Sequence, residues 1–140
     1  MIILDTNIIS ELMQAEPNPK VFEWLDGVPS ETAWITSISV FELRYGIEQL
    51  ATGRRRQRLQ DAFSRVVDID FHDRILPLDY DSAMATALIA AERKRFGRPA
   101  ELRDTLIAGI VVSRRAELFA TRNTRHFQDL DVRVINPWMA

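Results

Sequence analysis

The chain contains no cysteine. That excludes a disulfide scaffold, a zinc–thiolate site, an iron–sulfur cluster and a cysteine nucleophile, and it agrees with a reducing compartment. Long apolar runs are missing as well: none approaches the roughly 20 residues that span a bilayer, so no membrane association is expected. The opening residues, Met1-Ile2-Ile3-Leu4-Asp5, lack the basic stretch of a secretory signal, and a cytoplasmic location is the expectation. Glycine is scarce, with five in 140 residues and none in the first strand-to-helix turn. A dinucleotide-binding fold needs several there. Lysine is almost absent too, since sixteen of the eighteen basic residues are arginine. Arginine is the planar, permanently charged fork that suits phosphate.

What is present describes an ordinary globular domain. Hydrophobic residues make up 46% of the chain and charged residues 27%, and 140 residues bury roughly 70% of the surface of the unfolded form. We read residues 1–140 as one domain. Short apolar runs alternate with helical patterns. Met1 to Leu4, Thr32 to Thr36, Ile75 to Leu78, Leu118 to Ala120 and Val132 to Ile135 read as strands. Between them lie helices marked by Ile8, Ile9, Leu12 and Met13; by Val21, Phe22 and Leu25; by Val40, Leu43, Ile47 and Leu50; and by Leu59, Phe63, Val66 and Val67. A long helix carries Met84, Ala87, Leu88 and Ala91. A further one, from about Leu102 to Arg115, is apolar nearly all round and belongs at the centre. Ser37 or Ser39 is expected to cap the third helix and Gly53 to end it, Asp79 or Asp81 to cap the fifth, and Gly97 and Pro99 to stop it. This alternation predicts an α/β fold, a mostly parallel sheet of four to five strands between helical layers.

Open parallel sheets bind ligands at the carboxyl ends of their strands, so the polar residues just after strands carry the functional reading. Asp5 follows the first strand, and Thr121, Arg122 and Asn123 follow the fourth. Glu42 lies on the polar side of the third helix, and Asp104 opens the apolar sixth helix. Each has a plain alternative as a helix cap, a solvent-facing acid or a turn residue. Together, three carboxylates and a carboxamide gathered at one sheet edge would raise one another's pKa unless a cation neutralised them. Oxygen donors without Cys point to Mg²⁺ or Mn²⁺. A carboxylate-held ion with open positions suits phosphodiester hydrolysis. Two basic runs, Arg54 to Arg58 and Arg93 to Arg98, read as solvated helix faces.

The pattern Ile3-Leu4-Asp5-Thr6-Asn7, then Ser39-Val40-Phe41-Glu42-Leu43-Arg44-Tyr45-Gly46, then Asp104 before Leu106-Ile107-Ala108, then Ala120-Thr121-Arg122-Asn123, resembles the PIN-domain ribonucleases. It is most similar to the VapC toxins of type II toxin–antitoxin pairs and, with its Asn136-Pro137-Trp138 ending, to their FitB-like subgroup. The resemblance spans the whole chain. It implies a three-layer α/β/α PIN domain and an Mg²⁺-dependent endoribonuclease. Asp5, Glu42 and Asp104 would be its metal-holding acids, and Asn123 would stand at a fourth position that is Asp in many relatives. Thr6, Asn7, Thr121 and Arg122 would support the site. Arg44, Arg122 and Arg125 lie near these positions in sequence and could hold phosphates; His126 could stack on a base or act as a weak acid–base group, although a lone His in a turn reads first as surface. The implied partners are RNA, a DNA-binding antitoxin of the VapB or FitA type and a second copy of the chain, with a hetero-octamer on operator DNA as the larger assembly. Phe22, Trp24, Leu50 and Leu59 are candidates either for an antitoxin groove or for core packing. The alternative function is a non-catalytic nucleic-acid or protein-binding domain of the same fold. A haloacid-dehalogenase-type phosphatase is disfavoured because Asn7 stands where its second Asp belongs. A receiver domain is disfavoured because neither Lys20 nor Lys94 follows a strand.

Overall fold

The computed structural model describes all 140 residues. Five strands, β1 (Ile2–Leu4), β2 (Ala33–Thr36), β3 (Ile75–Leu76), β4 (Leu118–Ala120) and β5 (Arg133–Ile135), form one sheet in the order β3-β2-β1-β4-β5. Every pairing is parallel, with Ile3 beside Trp34 on one side and beside Phe119 on the other. The chain therefore starts at the sheet centre, builds outward through β2 to β3, then returns to build outward through β4 to β5. Pro77, directly after the two-residue β3, agrees with its place at a sheet edge.

Strand side chains alternate between two cores. Leu4, Ala33, Ile35 and Ala120 enter a cluster with residues of α1 (Thr6–Leu12), α2 (Pro19–Asp26), α3 (Ser37–Glu48) and α4 (Arg54–Phe63). Ile3 and Phe119 point the other way, against Ile107, Ala108, Ile110 and Val111 of α6 (Leu102–Ser113). The remaining helix, α5 (Tyr80–Arg95), packs on α6. Helices cover both faces of the sheet, giving the three layers. No helix is long and apolar enough to cross a membrane.

Several local expectations are corrected. Thr36, rather than Ser37 or Ser39, caps α3, its side chain accepting from the Ser39 amide. Gly53 precedes α4 instead of ending α3. Val66 and Val67 lie in a π-helical continuation over Ser64–Asp70. Two expectations hold: Asp79 caps α5 through a reciprocal box with Ser82, and Gly97, at φ 67°, takes the left-handed conformation that terminates it. The apolar stripe of α5 faces solvent, with Met84 52% and Leu88 68% exposed, because α5 meets α6 through Ser82 and Thr86, which are buried, as is Gly109 opposite. Arg93 is not on a solvated face either. It is 4% exposed and bonded on every side. Trp24 and Leu59 pack against the core, whereas Phe22 is exposed and Leu50 half-buried.

Candidate active site

The outward growth of the sheet reverses between β1 and β4, and a cleft at that reversal is where parallel sheets place ligands. Asp5 is the first residue after β1 and Thr121 the first after β4. Register brings them side by side: the Asp5 amide donates to the Ala120 carbonyl at 2.9 Å, and the Thr121 hydroxyl donates to Asp5 Oδ2 at 2.7 Å. The other carboxylate oxygen accepts from the Thr6 amide at 2.8 Å, so Asp5 also caps α1. The carboxyl group is buried at 4% exposure and pairs with no basic side chain. Burial pushes its pKa from 3.8 up to about 6, and the nearby Asp104 and Glu42 add to the rise against the pull of Thr121 and Thr6. Burial, more than the neighbouring carboxylates, makes the group hard to ionise.

Glu42 enters from α3. Its Oε1 accepts from the Thr6 hydroxyl at 2.9 Å, and Thr6 in turn lies 2.7 Å from the Ser39 hydroxyl. Thr36 Oγ1 is a further 3.4 Å from Ser39. A single direction satisfies the chain: Ser39 donates to Thr6, and Thr6 donates to Glu42. Burial raises the Glu42 pKa, with the Thr6 bond and Arg103 opposing. Asp104, in the first turn of α6, makes no cap; its Oδ2 lies 3.1 Å from His126 Nδ1.

Asn7 joins the same lattice, its amide 3.4 Å from Asp5 Oδ2 and 3.5 Å from Thr121 Oγ1, and its Oδ1 accepts from the Arg122 amide at 3.3 Å. Asn123 takes part through its backbone, whose amide donates to Thr121 Oγ1 at 3.1 Å, while the residue is exposed. The Arg122 guanidinium lies over the Trp138 ring at 4.9 Å, and Arg44 pairs with Glu48 at 2.7 Å, so neither is free beside the carboxylates. Arg56 of the first basic run bonds Glu48 at 2.8 Å, whereas Arg54, Arg55 and Arg58 are exposed.

Three contributors escaped the sequence reading. Ser39 sits three residues before Glu42, one turn along the same helix face. Arg103 adjoins Asp104 and places Nη1 3.7 Å from Glu42 Oε2 while bonding Glu101 at 2.9 Å. His126, read as surface, touches Asp104. Spacing carried a signal for the first two; His126 and Asp104 are 22 residues apart, and nothing local links them.

A buried acid at a parallel-sheet reversal, surrounded by hydroxyls and further acids, defines a class, and the comparisons agree with it. Residues 2–132 match the PIN domain family. The chain is 37% identical over 138 residues to the VapC ribonuclease Y4jK of Sinorhizobium fredii, covering 99% of this chain and 98% of the relative. Toxin FitB of Neisseria gonorrhoeae is 36% identical over 138 residues, covering 99% of both chains. The solved structure of FitAB bound to an IR36 DNA fragment superposes with a TM-score of 0.88 at 36% identity, over 99% of this chain and 96% of that one. The chain belongs to the VapC/FitB group of the PIN-domain family.

Proposed function

We propose that the chain is an Mg²⁺-dependent endoribonuclease toxin, with Asp5, Glu42, Asp104 and Asn123 as its catalytic set. One observation carries this reading: the carboxylate of Asp5 is buried and locked by two hydrogen bonds at the sheet reversal, with Asp104 and Glu42 close enough to raise its pKa and no basic side chain paired with it. Such a site favours a counter-ion, and its oxygen-only donors suit Mg²⁺ or Mn²⁺. The side chains as they stand do not form a closed set of three acidic or imidazole ligands. The fit therefore lies in donor chemistry and charge, with Asp5, Asp104 and Glu42 as the residues that would hold the ion. The chemistry it supplies when bound is positive charge beside a phosphodiester and a water acidic enough to attack phosphorus.

The chain's own residues perform the rest. Thr121 and the Thr6 amide fix both oxygens of Asp5, and Ser39 acting through Thr6 fixes Glu42. Such outer partners orient ligating carboxylates. Asn123 brings no charge, so its contribution is orientation. Arg103, 3.7 Å from Glu42, supplies a cation at the rim where a phosphate would enter.

The relative FitAB was solved on DNA, which supports an antitoxin partner and operator DNA for this chain. Exposed Phe22 on α2 supports an apolar seat for an antitoxin helix. Tyr80, Met84 and Leu88, one turn apart along α5 and 76%, 52% and 68% exposed, support a homodimer, from which a hetero-octamer can be built.

Asp5→Asn and Asp104→Asn should each fold normally and lose Mg²⁺-stimulated cleavage of single-stranded RNA. Unchanged cleavage in both would overturn the assignment. The binding-domain alternative, which the uncharged Asn123 favours, predicts no cleavage and no rise in melting temperature with Mg²⁺ or Mn²⁺.

A further inference from the structure

A cavity of about 320 Å³ opens beside Asp104. Asp104, His126, Arg98, Arg125, Arg93 and Asp129 are among its lining residues, together with Glu101. Asp5 is not among its lining residues. The cavity therefore adjoins the proposed centre through Asp104 alone.

Its construction is rigid. Arg93, although almost wholly buried, makes a fork with Asp129 at 2.8 and 3.0 Å, donates to the His126 carbonyl at 2.8 Å and to Thr105 Oγ1 at 3.2 Å. One guanidinium thus ties α5, the start of α6 and the turn over Thr124–Phe127 together. A buried charge is retained at such cost only when fully partnered, and here the partnering sets the walls around Asp104 and His126.

Charge accounting shows what the cavity would accept. Asp129 is neutralised by Arg93, Glu101 by Arg103, and Asp104 lies 3.1 Å from His126. Arg98 and Arg125 make no ion pair with any acid. Two unpaired guanidinium groups beside a cleft that borders a nuclease acid suit a phosphate next to the one being cut. A second depression of about 230 Å³, lined by Arg122, Asn123, Thr124, Arg125 and His126, shares Arg125 and His126 with the first. Arg125 and His126 form a ridge between the two. Single-stranded RNA can lie over such a ridge with its bases splayed.

We propose that this cavity is a subsite for the RNA nucleotide flanking the scissile phosphate, with Arg98 and Arg125 gripping that nucleotide's phosphate and Arg93 holding the walls in place. The assignment rests on the ribonuclease reading above.

The test uses the full chain in two arms. In EDTA, binding of a fluorescein-labelled single-stranded RNA is followed by anisotropy across a KCl series. The double variant R98A/R125A should bind about tenfold more weakly, with a log K against log salt slope shallower by about 1. Arg115→Gln, at the opposite end of α6, should leave both unchanged. In Mg²⁺, R98A/R125A should raise KM with kcat little altered. Equal affinity and slope in wild type and R98A/R125A, or an equal loss in R115Q, overturns the subsite. If the wild type cleaves with Mg²⁺ and D104N does not, that failure leaves the nuclease reading standing. If the wild type neither binds nor cleaves RNA, the nuclease reading fails and the subsite fails with it.

Discussion

At the scale of single residues, Asp5 decides how the protein responds to pH. Its carboxyl titrates near 6 in the folded chain against 3.8 as the reference. A raised acid pKa contributes stability that is complete below the lower value and is lost as pH climbs through the higher one. The metal-free protein is therefore expected to weaken between about pH 4 and pH 7. Asp5→Asn abolishes that dependence. Urea denaturation in EDTA should show the balance moving in favour of the variant by up to about 3 kcal/mol over this window. Thr121→Val keeps the shape and removes the hydroxyl that donates to Asp5 at 2.7 Å. Losing that donor raises the Asp5 pKa further. The pH profile of kcat/KM for RNA cleavage should move to more alkaline values, and an unmoved profile would detach Asp5 from the titration that governs activity.

At the scale of elements, the closest approach is between α5 and α6. A Cβ built on Gly109 would run into Thr86 Oγ1 and come within 2.7 Å of the Ser82 carbonyl. Gly109→Ala is expected to cost about 1–3 kcal/mol in urea denaturation despite the better helix propensity of alanine. Adding Thr86→Ala should recover part of the loss, the Ser82 carbonyl keeping the remainder. The same contact explains what was readable in the sequence. β1 and β4 were legible because Ile2–Leu4 and Leu118–Ala120 are short apolar runs buried on both faces, and α6 because nearly every turn is apolar. The face of α5 was not legible. Met84 and Leu88 recur at helical spacing, yet the covered side is the small and polar Ser82 and Thr86, because a glycine opposite them allows close approach. Arg93 was hidden for a related reason: its partner Asp129 lies 36 residues away, so only its charged neighbours were visible. Asp5 was singled out by its place after a strand, Asp104 by its place in a helix first turn and Glu42 by the polar side of its helix, but the hydroxyl chain through Ser39 and Thr6 needed the fold.

At the scale of the whole molecule, the exposed stripe of Tyr80, Met84 and Leu88 is an apolar helix face that the chain's own packing leaves uncovered. Met84→Glu together with Leu88→Glu should shift sedimentation toward the monomer without lowering the melting temperature of the monomer itself. An unchanged sedimentation coefficient in a dimeric wild type would place the dimer contact elsewhere. The two cores on opposite faces of the sheet leave the site at the edge where both meet. The groups that hold Asp5 come from α1 and β4, while Glu42 and Asp104 come from opposite layers.

That edge is stitched across 116 residues, the span between Asp5 and the threonine that anchors it. β4 is also the strand that completes β1 on one side. A ribosome that has not yet passed residue 121 therefore carries a nascent chain with an acid but no pocket to hold it. Fragments that stop short of Thr121 lack the hydroxyl that anchors Asp5, so the pocket around that acid can close only after β4 has been made and has paired with β1.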